Sequence, residues 1–150
     1  MKRILLVLAA LAMFAGCKKD SKNEVPTGSF DFAGTMNVVY FDVDYKSEDV
    51  VITVDYDKDS GKAELLLHQV KFVPMMPVTL DVLIPDVTAR VSGETVTFSG
   101  TDIIPLMYPA RVEVDSYPVT GLSGTMDGEK LSLSLRFGDY PTTYTGTLAK

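Results

Sequence analysis

From Val25 onward, apolar and polar residues alternate with a period of two, and no amphipathic helical pattern of useful length appears. A period of two is typical of strands that bury one face. The clearest case is Lys130–Phe137, where leucine or phenylalanine alternates with serine or arginine. Since no helix is available for crossover connections, the pattern predicts an all-β chain with antiparallel pairing.

Turn residues divide this pattern into about eight strands. Asp127-Gly128 is a strong hairpin signal because glycine accepts the positive φ of a tight turn. Asp57–Gly61 and Ser92-Gly93-Glu94 predict further turns, and Pro85-Asp86 predicts the end of a strand. Short strands at this spacing indicate a sandwich or a barrel.

A short pattern recurs four times: an apolar residue, a small residue, then Gly-Thr. It occurs at Phe32–Thr35, Phe98–Thr101, Leu122–Thr125 and Tyr144–Thr147. Glycine inside a strand weakens it, so the recurrence predicts strand bending where a sheet closes on itself. Chance recurrence in a chain rich in Gly and Thr is the alternative.

The first residues are typical of an export signal. Lys2 and Arg3 precede the apolar run Ile4–Phe14, which is too short to span a bilayer but suits a signal peptide. Phe14-Ala15-Gly16-Cys17 then resembles the lipobox of bacterial lipoproteins, in which the cysteine receives lipid and the signal is removed. This predicts a signal at residues 1–16, lipid on Cys17 and a flexible tether over residues 17–27. Ordinary signal cleavage, or a core helix with a core thiol, are the alternatives.

Charge and cysteine content limit the partners. The formal net charge is −6, and removing Lys2 and Arg3 with the signal makes it −6 − 2 = −8. An acidic chain repels phosphate backbones, which argues against nucleic-acid binding and against docking on anionic lipid. Attachment is therefore expected through lipid on Cys17, at the outer membrane or the cell surface, with the periplasmic face as an alternative.

Catalytic and metal-binding patterns are weak. His68 is the one histidine and Cys17 the one cysteine, so neither a typical multi-histidine metal site nor a free thiol nucleophile is expected. Asp55–Gly61 resembles a calcium loop, but its glycine comes one position late and Leu66 stands at position twelve. A plain hairpin turn is favoured there. The sequence thus predicts a protein that is not an enzyme and has no metal or cofactor.

Two segments break the rule that loops are polar: Phe72–Pro77 and Ile103–Pro109. We expect both near one end of the barrel, where they form an apolar patch for a small ligand or a protein partner. The patch residues are Phe72, Val73, Met75, Met76, Ile103, Ile104, Leu106, Met107 and Tyr108. The alternative is that both segments fold inward as a plug.

The signal, Gly28–Met36 and Leu122–Leu133 together resemble the calycin-like β-barrel lipoproteins, small exported proteins of Gram-negative bacteria. The resemblance implies an eight-stranded antiparallel up-and-down barrel of lipocalin-like shape over residues 28–150, and it brings no catalytic residues.

The residues expected inside this barrel are mostly large, so a nearly filled interior is expected. They are Phe30, Phe32, Met36, Val38, Tyr40, Ile52, Tyr56, Leu65, Leu67, Leu80, Phe98, Leu133, Leu135, Phe137 and Tyr144. The expected function is a non-enzymatic, membrane-anchored lipoprotein that binds a small apolar ligand at one mouth. The alternative is a structural or protein-interaction lipoprotein with a filled barrel.

Overall fold

The computed structural model describes residues 25–149, which form ten β-strands. The strands are β1 (Gly28–Tyr40), β2 (Val43–Asp57), β3 (Lys62–Val70), β4 (Leu80–Ser92), β5 (Thr95–Gly100), β6 (Leu106–Met107), β7 (Val112–Glu113), β8 (Val119–Met126), β9 (Lys130–Phe137) and β10 (Tyr140–Leu148). The predicted signal and Cys17 lie outside the described residues, as does most of the tether. Within residues 25–149, no helix is long and apolar enough to cross a bilayer.

Eight of these strands close into an antiparallel up-and-down barrel, which confirms the predicted fold class. Each of β1 to β4 pairs with the strand that follows it, and β5 pairs with β8. Strands β8, β9 and β10 then pair in sequence order. The last strand, β10, pairs with β1 and closes the ring. The short β6–β7 hairpin lies outside the ring and pairs with the first half of β4.

Alternation along the strands fills the barrel with apolar side chains. Of the fifteen residues expected inside, twelve are buried, and Phe30, Tyr40 and Leu80 are half-buried. The largest fully buried side chains include Tyr144, Phe32, Phe98 and Phe137. The outward residues of β9, namely Ser132, Ser134 and Arg136, are exposed. The wall is therefore polar outside and apolar inside, as expected from the period of two.

The up-and-down order sorts the connections between two ends. The tether end contains Gly28 and the turns after β2, β4 and β8. The distal end contains the turn at Phe41-Asp42, the connections 71–79 and 101–118, and the turn at Gly138-Asp139. Val25 packs against the core, and the Thr27 hydroxyl accepts a hydrogen bond from Lys58 N at 2.9 Å. Contacts with the barrel therefore include residues that precede Gly28.

The prediction that Pro85-Asp86 ends a strand is wrong. β4 runs through both residues, and Asp86 has a φ of 56°. The strand changes partner at this point, from β6 before Pro85 to β5 from Thr88 onward. Proline lacks a backbone donor and is tolerated at such irregularities, so the kink redirects the strand without terminating it.

The repeated Gly-Thr positions lie where strands approach closely. A β-carbon at Gly100 would meet the Ile103 side chain, and one at Gly124 would meet Ser132 O and the Leu133 side chain. Gly34 and Gly146 face each other between β1 and β10. These contacts support the interpretation of the repeat as a device for bending and closing the sheet.

Candidate ligand site at the distal end

The wall opens at the distal end because β2 and β3 separate there. β2 pairs with β1 along nearly its whole length, but it pairs with β3 only from Ile52 to Asp57. Asp49 of β2 and Gln69 of β3 both have positive φ, at 60° and 55°, and both lie at register shifts. The two irregularities bend the strands apart between Ile52 and the distal end.

A pocket of about 210 Å³, here called the distal slot, occupies this opening. Its floor consists of buried core side chains: Met36, Val38, Val50 and Val70. Its remaining lining residues are Tyr45, Lys46, Ser47, Gln69, Lys71, Pro74 and Thr79. The slot is therefore apolar below and polar at the rim, the arrangement expected of a small-molecule site.

Two lysines border the distal slot from opposite strands. Lys46 lies on β2 and is exposed, whereas Lys71 directly follows β3 and is half-buried. Within residues 25–149, neither ammonium group forms an ion pair. The register of β2 places Lys46 opposite Asn37, on the face away from Met36 and Val38.

The first predicted patch segment, Phe72–Pro77, closes part of the distal end. The Phe72 ring is buried, stacks on Tyr117 with centroids 4.7 Å apart, and meets Phe137 edge-on at 5.1 Å. Met76 packs against the core, and its sulfur accepts a hydrogen bond from Phe72 N at 3.2 Å. Met75, in contrast, is 71% exposed. Val73 is half-buried.

The second predicted segment, Ile103–Pro109, lies along the wall beside β4. Ile103 is buried and forms a bridge with Val119, while Leu106 and Met107 pair with β4 and are half-buried. Ile104 is half-buried and Tyr108 is exposed. Phe72, Met76 and Ile103 thus match the plug alternative. None of the nine predicted patch residues lines the distal slot, which the first segment reaches through Pro74.

Exposed large apolar side chains concentrate at the distal end. Seven of the eight found among the described residues lie there, and Leu148 lies at the tether end. The seven are Phe41, Val43, Tyr45, Met75, Val78, Tyr108 and Val112. Tyr40 links part of this group, with ring centroids 4.5 Å from Phe41 and 6.3 Å from Tyr45. We call these seven residues the distal apolar group.

A series of hydrogen-bonded polar side chains crosses the outer wall next to the slot. The Thr53 hydroxyl donates to the Asp31 carboxylate at 2.6 Å, and His68 Nε2 lies 2.9 Å from the same hydroxyl oxygen. Because the single hydroxyl proton points to Asp31, Nε2 must be the donor to Thr53. These three residues, with Glu48 and Asp49, line an acidic outer groove. Among residues 25–149, no group of three His, Cys, Asp or Glu side chains could hold a metal ion.

The acidic run Asp55–Gly61 forms the hairpin between β2 and β3, as favoured from the sequence. Gly61 N donates to Asp57 O at 3.0 Å, and Asp59 N donates to the Asp57 carboxylate at 3.0 Å. The Asp57 carboxylate therefore stabilises the turn itself.

Tyr144 carries a buried hydroxyl in the barrel interior. The Tyr144 hydroxyl is 2.9 Å from Val50 O and 3.1 Å from Phe32 O, so its proton is shared by two carbonyl groups on neighbouring strands. Burial raises the pKa of Tyr144 to about 12. The group is neutral at physiological pH and connects β10 to β1 and β2 beneath the distal slot.

Sequence reasoning missed the slot, although a signal for it exists. Apart from Val51, the apolar positions of β2 are odd-numbered up to Tyr45 and even-numbered from Val50 onward. Such a change of parity indicates an extra residue in a strand, and hence a bulge near Glu48-Asp49. Lys46 and Lys71 carry no sequence signal, since single surface lysines are common.

A solved structure shares this fold. The crystal structure of a "putative outer membrane protein" from Bacteroides fragilis NCTC 9343 matches with a TM-score of 0.53 and 17% sequence identity, over 81% of this chain and 50% of that one. The chain therefore spans half the length of that protein, and at this identity the likeness concerns the fold. No family model and no curated protein matches the chain, so the relationship to the calycin-like lipoproteins stays a prediction.

Proposed function

We propose that this protein is an exported, lipid-anchored barrel that binds a small apolar molecule in the distal slot. The observation that carries the proposal is the slot itself, a concave opening in the wall whose floor consists of Met36, Val38, Val50 and Val70. A concave site with an apolar base and a few polar groups at its rim is typical of small-molecule binding. The proposal includes no catalytic step.

Anchoring through lipid on Cys17 fits the polarity of the wall. Barrels that span membranes are apolar outside and often polar inside. This barrel has the reverse arrangement, with serine and arginine outward on β9 and leucine inward. A barrel of this polarity suits an aqueous compartment, where a lipid on the tether would hold it at a membrane. Because the chain enters at the tether end, the slot would face away from that membrane.

The size of the slot limits its ligand. A volume of 210 Å³ is below the range of about 300–1,000 Å³ for drug-sized ligands. At about 30 Å³ for each water-sized group, it accommodates about seven such groups. The ligand, or the part of it that enters the slot, is therefore a short apolar chain or a small ring.

Two measurements test the proposal. Cys17→Ser should remove the protein from the membrane fraction or leave its signal uncut, with Ser21→Ala as the matched control in the tether. Titration with 1-hexanol should shift the methyl NMR signals of Met36, Val50 and Val70, while those of Leu131 near the tether end stay in place. Membrane association that survives Cys17→Ser, or unchanged slot signals, would each remove one part of the proposal.

A protein partner at the distal end is the second candidate function, favoured by the distal apolar group. Phe41 is 75% exposed at the tip of a hairpin, where a large apolar side chain forgoes about 1.5–3 kcal/mol of burial. A photo-crosslinking residue at position 41 should then capture a defined protein in intact cells. The same residue at Leu148, exposed at the other end, provides the control. Equal capture at both positions would count against a distal partner.

A further inference from the structure

We infer that one open strand edge in the barrel wall binds an extended peptide in which apolar and basic residues alternate. This open edge is the side of residues 43–51 of β2 that faces β3. A peptide that adds to a strand edge gains affinity from main-chain hydrogen bonds and specificity from alternate side chains. The inference goes beyond the proposed function, because it depends on the strand edge and on the acidic outer groove.

The open edge has no strand partner among residues 25–149. β2 pairs with β1 as far as Val43, whereas its pairing with β3 stops at Ile52. Residues 43–49 are all exposed. Closure of a barrel normally removes free strand edges, and an unpaired edge is a template on which another chain can pair. The wall therefore keeps one place where a strand can be added.

The turn between β1 and β2 determines which backbone groups lie on the open edge. The two-residue turn Phe41-Asp42 has φ angles of 49° and 64°, which are typical of a type I′ hairpin. Tyr40 and Val43 flank this turn and are therefore a hydrogen-bonded pair. Such pairs alternate with non-hydrogen-bonded ones along an antiparallel ladder. The N–H and C=O groups of Asp44 and Lys46 consequently point away from β1, toward the position of an added strand.

The gap between β2 and β3 is accessible from both faces of the wall. The distal slot lies on the inner face and the acidic outer groove on the outer face, and both are lined by Ser47, Val50 and Gln69. Successive residues of a strand point to opposite faces. A peptide paired with the open edge would therefore direct every second side chain toward the slot and the others toward the groove.

The two faces favour different side chains of the peptide. On the inner face, Tyr45 lies opposite Val38 and extends the apolar surface of the slot along β2. On the outer face, the described residues that line the acidic outer groove include Asp31, Glu48 and Asp49 but no lysine or arginine. Apolar side chains would suit the inner face, and basic side chains would meet opposite charge on the outer face.

The charge of the open edge favours a basic peptide over a second copy of this chain. Along residues 43–51, Asp44, Glu48 and Asp49 outnumber Lys46. Pairing two such edges would bring like charges together, which destabilises cross-strand pairs. A peptide with lysine or arginine at alternate positions would have the opposite charge at the same places.

The test uses the heptapeptide Lys-Val-Lys-Val-Lys-Val-Lys, blocked at both ends, and the exported full chain in phosphatidylcholine nanodiscs. Amide hydrogen exchange at Asp44 and Lys46 should slow about tenfold or more when the peptide binds, because these N–H groups gain acceptors. A peptide of the same composition in the order Lys-Lys-Val-Val-Val-Lys-Lys lacks the alternation and should bind about tenfold more weakly. Unchanged exchange at about 1 mM peptide, or equal binding of both peptides, would overturn the inference.

A proline variant tests main-chain pairing directly. Lys46→Pro removes an N–H group that points away from β1, and proline is tolerated on a strand edge where its nitrogen faces solvent. The variant should lower peptide affinity about tenfold. Lys46→Ala makes the same change in charge but keeps the N–H group, so it is the matched control and should not weaken binding. Equal affinities of the two variants would contradict main-chain pairing.

Neutral variants of the groove test the charge of the partner. Glu48→Gln with Asp49→Asn should lower affinity for the peptide about tenfold, and asparagine tolerates the positive φ at position 49. Glu94→Gln with Asp127→Asn makes the same change in net charge at exposed turns of the tether end and should leave affinity unchanged. If this control pair lowers affinity as much as the groove pair, overall charge attracts the peptide and the inference falls.

The edge and the slot are tested by different probes. Binding of 1-hexanol is measured at the methyl groups of the slot, whereas binding of the peptide is measured at the amides of Asp44 and Lys46. The proposed function can therefore fail while the inference about the open edge stands, and the reverse also holds.

Discussion

Gly34 of the first strand lies directly opposite Gly146 of the last strand, at the pairing that closes the barrel. A β-carbon at Gly34 would overlap backbone atoms of Thr145 and Gly146, and one at Gly146 would come within 2.5 Å of the Tyr144 hydroxyl. The absence of side chains at both positions allows the seam to form and leaves room for the Tyr144 ring.

Gly34→Ala should therefore destabilise the protein, because rigid backbone atoms obstruct the new methyl group. We expect a loss of about 3 kcal/mol or more, at or above the upper end of the range for small-to-large changes in a packed core. Gly28→Ala is the matched control on the same strand, since its β-carbon would lie 3.8 Å from the nearest Phe30 atom, an ordinary contact. Denaturant unfolding of both variants measures the difference. Equal stability of the two would contradict the close approach at the seam.

Tyr144→Phe should lower the free energy of unfolding by about 1–3 kcal/mol, because two buried carbonyl groups, on Phe32 and Val50, lose their shared donor. The ring itself stays in place, so the loss isolates the hydroxyl. Tyr108→Phe removes a hydroxyl from an exposed ring and should change stability by less than about 0.5 kcal/mol. Thermal or urea unfolding at neutral pH checks both values.

Stability should also fall at high pH through Tyr144. Burial raises its pKa to about 12, whereas the ordinary tyrosine value is 10.0. Between these values the unfolded chain loses a proton that the folded chain keeps, so the free energy of unfolding decreases as pH rises. The stabilisation that comes from the protonated Tyr144 hydroxyl is fully present below pH 10. It is lost progressively up to about pH 12, which lowers the free energy of unfolding by about 2–3 kcal/mol. In Tyr144→Phe this part of the pH dependence should be missing.

Met76→Ser should cost about 2–5 kcal/mol, the range for large-to-small changes in a core, because Met76 packs against the core and its sulfur accepts the Phe72 N–H. Met75→Ser, one residue earlier, changes a side chain that is 71% exposed and should cost less than about 0.5 kcal/mol. Urea unfolding of the two variants tests whether this segment closes the barrel. A small effect at Met76 would favour an exposed site there instead.

Thr53→Val should break the series of hydrogen-bonded polar side chains on the outer wall at its centre while keeping the shape of the side chain. The Asp31 carboxylate and His68 Nε2 would each lose a partly buried partner, so a loss of about 1–2 kcal/mol is expected. Nitrogen-15 NMR of wild-type His68 should show the proton on Nε2. A proton on Nδ1 alone would reverse the assigned direction of that hydrogen bond.

Several features of the fold could be predicted from the sequence because they depend on neighbouring residues. Alternation along segments such as Leu131–Phe137 defines an inner and an outer face, and Asp127-Gly128 favours a tight turn, so antiparallel strands follow. The repeated glycines similarly indicated where the sheet bends. A proline, however, has different effects in different contexts: Pro85 lies within β4 because the strand changes partner there.

The sequence by itself determined the all-β class, most of the inward residues and several turns, such as those at Asp57–Gly61 and Asp127-Gly128, since these depend on patterns within a few residues. Only the tertiary structure decided which apolar loop residues are buried. Phe72 is covered by Tyr117, 45 positions away, whereas Met75 is left exposed. It also decided that Lys46 and Lys71 border one slot, because β3 stops pairing with β2 at Ile52. Contacts between distant segments depend on how the sheet curves and closes, which no local preference specifies.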